Sequence, residues 1–454
     1  MLNMMLSEIA LWTHGALRGS DAPVRGVGID TRKLSPGMLF AAIRGEHVDG
    51  HDFLRMAQLA GAAGALVSRP VADVVLPQVQ VADVQAALGD LASAVRARSN
   101  AIVIGVTGSS GKTTVKNLCA SILGSVAATH ATEGNQNNEI GLPLNLLNMR
   151  DDAHFAVLEM GAGKPGDIAY LAGIARPYVV LVNNVGPAHI ERLGSVEGVA
   201  EAKGAIYAAL PADGIAVINA EDAFAGYFAA QAGSRRVLRF GVHATADVGA
   251  ENIQLELHGS RFDLVMPNGR AEVLLPLPGM HNVRNALAAA AVAHALDVPP
   301  EKIASGLAGV ASSRGRLAIR KMPGGWTLLD DSYNANPASV AAAIDTLTLA
   351  PGETWLVLGD LAELGQGAGD LMADLGRKAR SAGIRRLWTV GTTSAEASRA
   401  FGRDAQHFEQ QAALAAALRS ALHEGVTCLV KGSRASAMEH VIALLEGEGQ
   451  AHVL

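Results

Sequence analysis

The chain has 454 residues, more than one hydrophobic core usually organises, so two or three domains of ~100–200 residues are expected. Hydrophobic residues make up 49% and charged residues 18%, which excludes an intrinsically disordered chain, and a formal charge of -6 offers no broad basic field for a nucleic-acid backbone. Cys119 and Cys428 lack metal-ligand spacing, residues 1–14 carry no basic leader ahead of an apolar run, and no segment reaches ~20 apolar residues; a cytoplasmic protein without a membrane span or a nucleic-acid partner is predicted.

In chain order, residues 1–82 carry short strand-like runs at 38–43 and 65–68 between Gly- and Pro-marked turns, which predicts a small α/β domain. A helical stretch at 84–98 precedes the apolar run 101–106, a glycine-rich turn and the helical pattern 113–123. Further buried strands are predicted at 155–158, 178–182 and 215–218 with helices between them, giving a central domain, 83–313, with a mostly parallel sheet. Strands at 327–329, 355–358, 386–390 and 427–430 alternate with helices near 337–348, 370–381, 410–422 and 435–446. They predict a third, Rossmann-like doubly wound domain over 314–454.

The strongest local signal is Gly105-Val106-Thr107-Gly108-Ser109-Ser110-Gly111-Lys112-Thr113-Thr114, set between strand and helix as a phosphate-cradling loop must be. Gly108, Ser109, Ser110 and Gly111 let backbone N–H groups approach phosphate oxygens, Lys112 neutralises charge, and Thr113 and Thr114 open the helix, with the Thr113 hydroxyl available to Mg²⁺. The first glycine of the general pattern would fall on Val106, with Gly105 and Gly108 on either side. Glu159 ends the strand at 155–158 on the side where ligands bind in parallel sheets. It is placed to hold the Mg²⁺ of ATP, or else is a surface loop carboxylate. His189, after the turn Gly186-Pro187, and Lys203, in the helical stretch 196–210, are each open to a structural or a functional reading.

Four runs, Thr107 to Thr114, Leu158-Glu159-Met160-Gly161-Ala162, Asn183-Asn184-Val185-Gly186-Pro187-Ala188-His189 and Glu201-Ala202-Lys203-Gly204, stand in the order and spacing of the Mur ligase family, which the chain resembles over nearly its whole length. Three more resemble the members that add D-alanyl-D-alanine: Gly134 to Pro143, Asp330-Asp331-Ser332-Tyr333-Asn334-Ala335-Asn336-Pro337, and Leu358 to Gly365.

The resemblance implies an ATP-dependent, ADP-forming ligation of D-alanyl-D-alanine to a UDP-N-acetylmuramoyl tripeptide in peptidoglycan synthesis, through an acyl phosphate, by a monomer. Sister ligases and folylpolyglutamate-synthase-like ligases are the neighbouring readings. It further implies two Mg²⁺ ions, one on Thr113 and Glu159 and one on His189 and a carbamylated Lys203. CO₂ converts that ammonium into an anionic oxygen ligand suited to a hard cation. Asn282 and Asn285 would lie where adenine is read, although one of them could be a helix cap. Arg316 would reach the ATP phosphates and Asp331 the ribose hydroxyls. Thr31 and Arg32 would serve the uridine nucleotide, or form a turn with a solvated charge. Asn137 and Asn138 would face the muramoyl peptide, and Lys431 to Arg434 the dipeptide.

Overall fold

The computed structural model describes residues 3–188, 190–243, 245–311 and 314–447, so His189 and the expected boundary at 313 lie outside the described residues. Strands β1 (Ala16–Arg18), β2 (Val27–Gly28), β3 (Leu39–Ala41), β4 (Gly64–Val67) and β5 (Gln78–Gln80) form a sheet in the order β1-β5-β4-β3-β2. Only the β1–β5 pair is antiparallel. Helix α1 (Val84–Arg98) starts on an Asp83 cap that accepts from the N–H groups of Gln85 and Ala86. Its buried Leu88 and Leu91 join Leu39, Leu66 and Val79 of this sheet to Val103 and Leu158 in one apolar cluster, so the first sheet and the next share a core.

The central sheet is all parallel. Its members are β6 (Ile102–Thr107), β7 (Thr129–Ala131), β8 (Phe155–Glu159), β9 (Val179–Val182), β10 (Ile215–Asn219) and β11 (Arg236–Phe240), in the order β11-β10-β9-β6-β8-β7. Alternate residues point to opposite faces. Thus Ala156, Leu158, Val180 and Val182 enter the cluster shared with the first sheet, whereas Val157, Val179 and Leu181 meet helices on the other face. Of the connecting helices, α2 (Lys112–Gly124) packs on that second face, whereas α3 (Gly141–Leu147), α4 (Asp167–Ala175) and α5 (Val196–Ala208) pack on the first. Covering both faces explains the continuous apolar runs read in the sequence.

An antiparallel meander that the sequence reading lacks follows: β12 (Gly249–Glu256), β13 (Gly259–Met266) and β14 (Gly269–Leu275). Its strands alternate buried and exposed positions, so no apolar run marks them. Phe262, Leu264 and Val273 pack in the core shared with the alanine-rich α6 (Met280–Ala295) and with α7 (Pro300–Ala308).

The last sheet comprises β15 (Ala318–Lys321), β16 (Thr327–Asp331), β17 (Glu353–Gly359), β18 (Arg386–Val390), β19 (Ala405–Phe408) and β20 (Val426–Lys431), ordered β15-β16-β20-β17-β18-β19. Antiparallel pairing occurs only at β15–β16. Helices α8 (Pro337–Leu347), α9 (Ala368–Ser381), α10 (Gln411–Ala421) and α11 (Glu439–Glu446) flank it. Among the described residues no helix is long and apolar enough to cross a membrane.

Asn148, just after α3, brackets the edge strand β2. Its Oδ1 accepts from the Val27 N–H at 3.0 Å and its Nδ2 donates to the Val27 carbonyl at 2.9 Å, in the manner of a neighbouring strand. Asn148→Ala leaves both Val27 groups without these partners, at a cost of about 1–3 kcal/mol. A lower melting temperature and faster exchange of the Val27 amide are expected; a variant matching the wild type in both would show the bracket to be dispensable.

Candidate active site

The carboxyl ends of the central strands open into a cleft of about 1350 Å³ that is also walled by the last sheet. The phosphate-type loop lies at its floor. At Gly111, φ is +78°, and a Cβ there would come within 2.5 Å of both Asn183 Nδ2 and Asn285 Oδ1, so only glycine fits. No side chain caps the start of α2, which leaves the N–H groups of its first turn facing the cleft as an anion-binding end. Lys112 folds back over the loop, its Nζ donating to the Gly108 carbonyl at 2.8 Å. Burial pushes its pKa down, Glu159 opposes that, and Arg316 adds to it.

The segment after β9 straps this loop in place. The Ser109 and Ser110 N–H groups donate to the Asn184 carbonyl at 2.9 Å and to Asn184 Oδ1 at 2.8 Å, and Asn183 Nδ2 donates to the Ser110 carbonyl at 3.0 Å. Asn183 Nδ2 also donates to Asn285 Oδ1 at 2.9 Å, while Asn285 and Asn282 bond to each other and Asn282 reaches the Pro278 carbonyl at 2.8 Å. Both α6 asparagines are buried and line the cleft; the helix begins on Gly279, so neither is its N-cap.

Glu159 is 3% exposed and joins two walls. Its Oε2 accepts from the Thr113 hydroxyl at 2.7 Å and its Oε1 from Asn137 Nδ2 at 2.7 Å. The Thr113 oxygen in turn accepts from Arg316 Nη2 at 2.9 Å, and the Arg316 guanidinium lies 4.3 Å from the centre of the Tyr333 ring. Asn138 lines the same wall and its Oδ1 accepts from the Gly141 N–H at 2.9 Å, at the start of α3. Lys203, on α5, is 1% exposed; burial and then the nearby Lys112 lower its pKa to about 7. Among the described residues no group of three His, Cys, Asp or Glu side chains is placed to hold a metal ion.

The last sheet adds Asn336 and Asp331. Asn336, the N-cap of α8, donates from Nδ2 to Ser110 Oγ at 2.9 Å while its Oδ1 accepts from the Ser339 N–H at 2.8 Å. Asp331 is not free: Oδ2 is paired with Lys431 Nζ at 2.5 Å and Oδ1 accepts from the Leu317 N–H at 3.2 Å. Burial raises the Asp331 pKa and Lys431 opposes that rise.

The cleft therefore collects Ser109 to Thr114, Asn137, Asn138, Glu159, Asn282, Asn285, Arg316 and Asp331, with Lys431, Ser433 and Arg434 beside them. Thr31 and Arg32 are not on its wall. They form a short turn in which Arg32 makes two bonds to the Asp30 carboxylate and keeps 88% of its side chain exposed. Asn183, Asn184 and Asn336 received no role from the sequence reading. Asn336-Pro337 with Ser339 was a legible helix-cap signal, whereas the strap asparagines were marked by their place after a strand and by the family run that they open, neither of which shows what they bond.

Residues 23–96, 106–293 and 315–434 match, in turn, the Mur ligase family catalytic domain, the Mur ligase middle domain and the Mur ligase glutamate ligase domain. The chain is 43% identical over 452 residues to the UDP-N-acetylmuramoyl-tripeptide--D-alanyl-D-alanine ligase of Escherichia coli, covering 99% of this chain and 100% of that one. A crystal structure of MurF from Acinetobacter baumannii superposes with a TM-score of 0.92 at 33% identity, covering 98% of this chain and 99% of the other. MurF ligase from Thermotoga maritima in complex with ADP does so at 0.82 and 27% identity, over 94% and 98%. Three successive matched domains and a relative aligned from end to end leave one conclusion: the chain belongs to the Mur ligase family.

Proposed function

We propose that this chain joins D-alanyl-D-alanine to a UDP-N-acetylmuramoyl tripeptide at the expense of ATP, releasing ADP and phosphate, as a cytoplasmic monomer. Residues 1–82 would bind the UDP end of the acceptor, 83–313 the ATP and 314–454 the dipeptide. The observation that carries the reading is the convergence of the phosphate loop, the Glu159–Asn137 wall and the Arg316, Asn336 and Lys431 groups of the last sheet on one cleft. The names of the full-length relatives agree with it.

In this reading the first-turn N–H groups of α2 and the ammonium of Lys112 hold the ATP phosphates, and Arg316 leaves Thr113 for the phosphoryl oxygens. Asn137 and Asn138 orient the acceptor. An oxygen of its terminal carboxylate attacks the γ-phosphorus as the bond to ADP breaks. The amine of the dipeptide then attacks the acyl carbon, phosphate departs with that oxygen, and the amine loses a proton. Thr113 and Glu159 present hard oxygen donors suited to one Mg²⁺. A second would need His189 and a carbamylated Lys203, whose depressed pKa favours the neutral amine that CO₂ requires. The ions would neutralise charge between phosphate oxygens.

Labelling tests the route. With the acceptor carboxylate enriched in ¹⁸O, one heavy oxygen should appear in released phosphate for each amide formed. Unlabelled phosphate alongside normal product would sink the acyl phosphate, and label in AMP would indicate an adenylate.

For Lys203, a carbamate carbon should be visible by ¹³C NMR after incubation with labelled bicarbonate. Lys203→Ala should lose nearly all activity, with partial return on adding a short carboxylate. An alanine variant as active as the wild type without additive ends that assignment.

The Asp331–Lys431 pair separates binding from stability. Asp331→Ala leaves the buried Lys431 ammonium with the Asn334 carbonyl but no counter-charge and is expected to destabilise the chain by about 3–5 kcal/mol. Asp331→Asn keeps an acceptor for Lys431 and should chiefly raise the KM for ATP. An unchanged ATP dependence in the asparagine variant would remove Asp331 from the nucleotide site.

A further inference from the structure

Lys116 lies one helical turn beyond Lys112 on α2, yet it is 6% exposed. Its Nζ donates to the carbonyl of Thr132 at 2.7 Å, and among the described residues no carboxylate lies within ion-pair distance of it. A buried ammonium with a carbonyl partner is a costly choice at a helix position that an apolar side chain could fill. Desolvation holds its pKa below the usual lysine value, Glu159 opposes that from further off, Arg316 adds to it and Glu133 opposes it.

Thr132 is the joint between two walls of the cleft. It follows β7, its N–H donates to the Val157 carbonyl at 3.0 Å, and its Oγ1 accepts from the Glu159 N–H at 2.9 Å. From Thr132 the chain runs through 133–136 to Asn137, whose side chain returns to the Glu159 carboxylate. Asn145 steadies the middle of this segment, accepting from the Glu133 N–H at 3.1 Å and donating to the Gln136 carbonyl at 3.0 Å. Lys116 thus grips the segment carrying Asn137 and Asn138 directly from the nucleotide-side helix, whereas Thr113 of that helix reaches Asn137 only by way of Glu159.

We propose that Lys116 is a positioning residue that ties segment 132–138, on the acceptor side of the cleft, to the helix that binds the nucleotide. The acceptor assignment rests on the ligase reading above; the mechanical tie does not. Without the ammonium the Thr132 carbonyl is left buried without its donor, and the segment is loosened from α2, held only by its bonds to Val157, Glu159 and Asn145, while the phosphate loop, strapped by Asn183 and Asn184, keeps its shape.

The test uses the full chain with Lys116→Met, close in length but without charge or donor. Amide exchange over 132–138 should quicken by about tenfold or more while β6 and β8 stay protected. Calorimetric titration should show affinity for the UDP-N-acetylmuramoyl tripeptide falling by about tenfold to a hundredfold, with that for a non-hydrolysable ATP analogue plus magnesium kept within about threefold. Unchanged exchange, or equal losses for both ligands, overturns the proposal. Failure of the wild-type chain to bind the tripeptide would instead overturn the ligase reading, and the exchange result would still decide the role of Lys116. If Lys116→Met does not fold, Lys116→Leu, which likewise lacks charge and donor, carries the same measurements and the same criteria.

Discussion

The arrangement of the cleft depends on one nearly buried carboxylate. Glu159 ends a central strand and bonds at once to Thr113, in the first turn of the phosphate-loop helix, and to Asn137, on the segment before α3. A buried carboxylate left without donors would be expensive, so each of these bonds is strongly favoured once the strand is in the sheet. Arg316 then has a fixed hydroxyl to meet, and the last sheet is drawn against the central one. The fold supplies the place: in a parallel sheet the carboxyl ends of neighbouring strands lie side by side, so β6, β8 and β9 deliver loop, carboxylate and strap to the same edge.

How much of this could be read in the sequence follows from the range of each interaction. The loop from Gly105 to Thr114 is contiguous, and its glycines answer a local backbone demand, so it is visible in ten letters. The continuous apolar runs of β6, β8, β9 and β10 are visible because both faces of that sheet are covered. The meander over 249–275 is not, since its strands alternate charged and apolar positions and the reading looked for runs. The residues resembling a known family were found as words, but their contacts were not. Arg316 meets Thr113 across 203 residues and Asn336 meets Ser110 across 226, distances over which no spacing rule operates. Lys116 was invisible for a different reason: a lysine on a helix reads as solvated, and only the packed structure shows it turned inward.

The Asp331–Lys431 pair shows why a residue's identity is an incomplete guide to its state. The sequence suggests a carboxylate open to ribose hydroxyls; the structure gives it a buried ammonium and a backbone N–H. These do not exclude a ribose contact, because a carboxylate has about four lone-pair sites. They do mean that the side chain is held before nucleotide arrives, so its orientation adds no ordering cost at that moment.

The central and last sheets meet through separate polar contacts rather than a shared apolar core. Among the described residues these contacts include Arg316 to Thr113, Asn336 to Ser109 and Ser110, the Gly365 N–H to Glu191 at 3.2 Å, and Arg192 to Glu363 at 4.0 Å. Leu257, at the tip between β12 and β13, adds an apolar contact with the core of the last sheet. Hydrogen bonds with a charged partner, as at Arg316 and Glu191, are worth roughly 1.5–3 kcal/mol, neutral ones such as those of Asn336 roughly 0.5–1.5 kcal/mol and exposed ion pairs less, so this boundary is held by separate bonds rather than by a continuous core. The first and central sheets, by contrast, share a continuous apolar core through α1. Opening is therefore cheaper between the second and third sheets than between the first and second. Arg316 and Asn336 both touch the phosphate loop from the far side of that weaker boundary, so separation there withdraws two loop contacts while leaving the Asn183 and Asn184 strap intact.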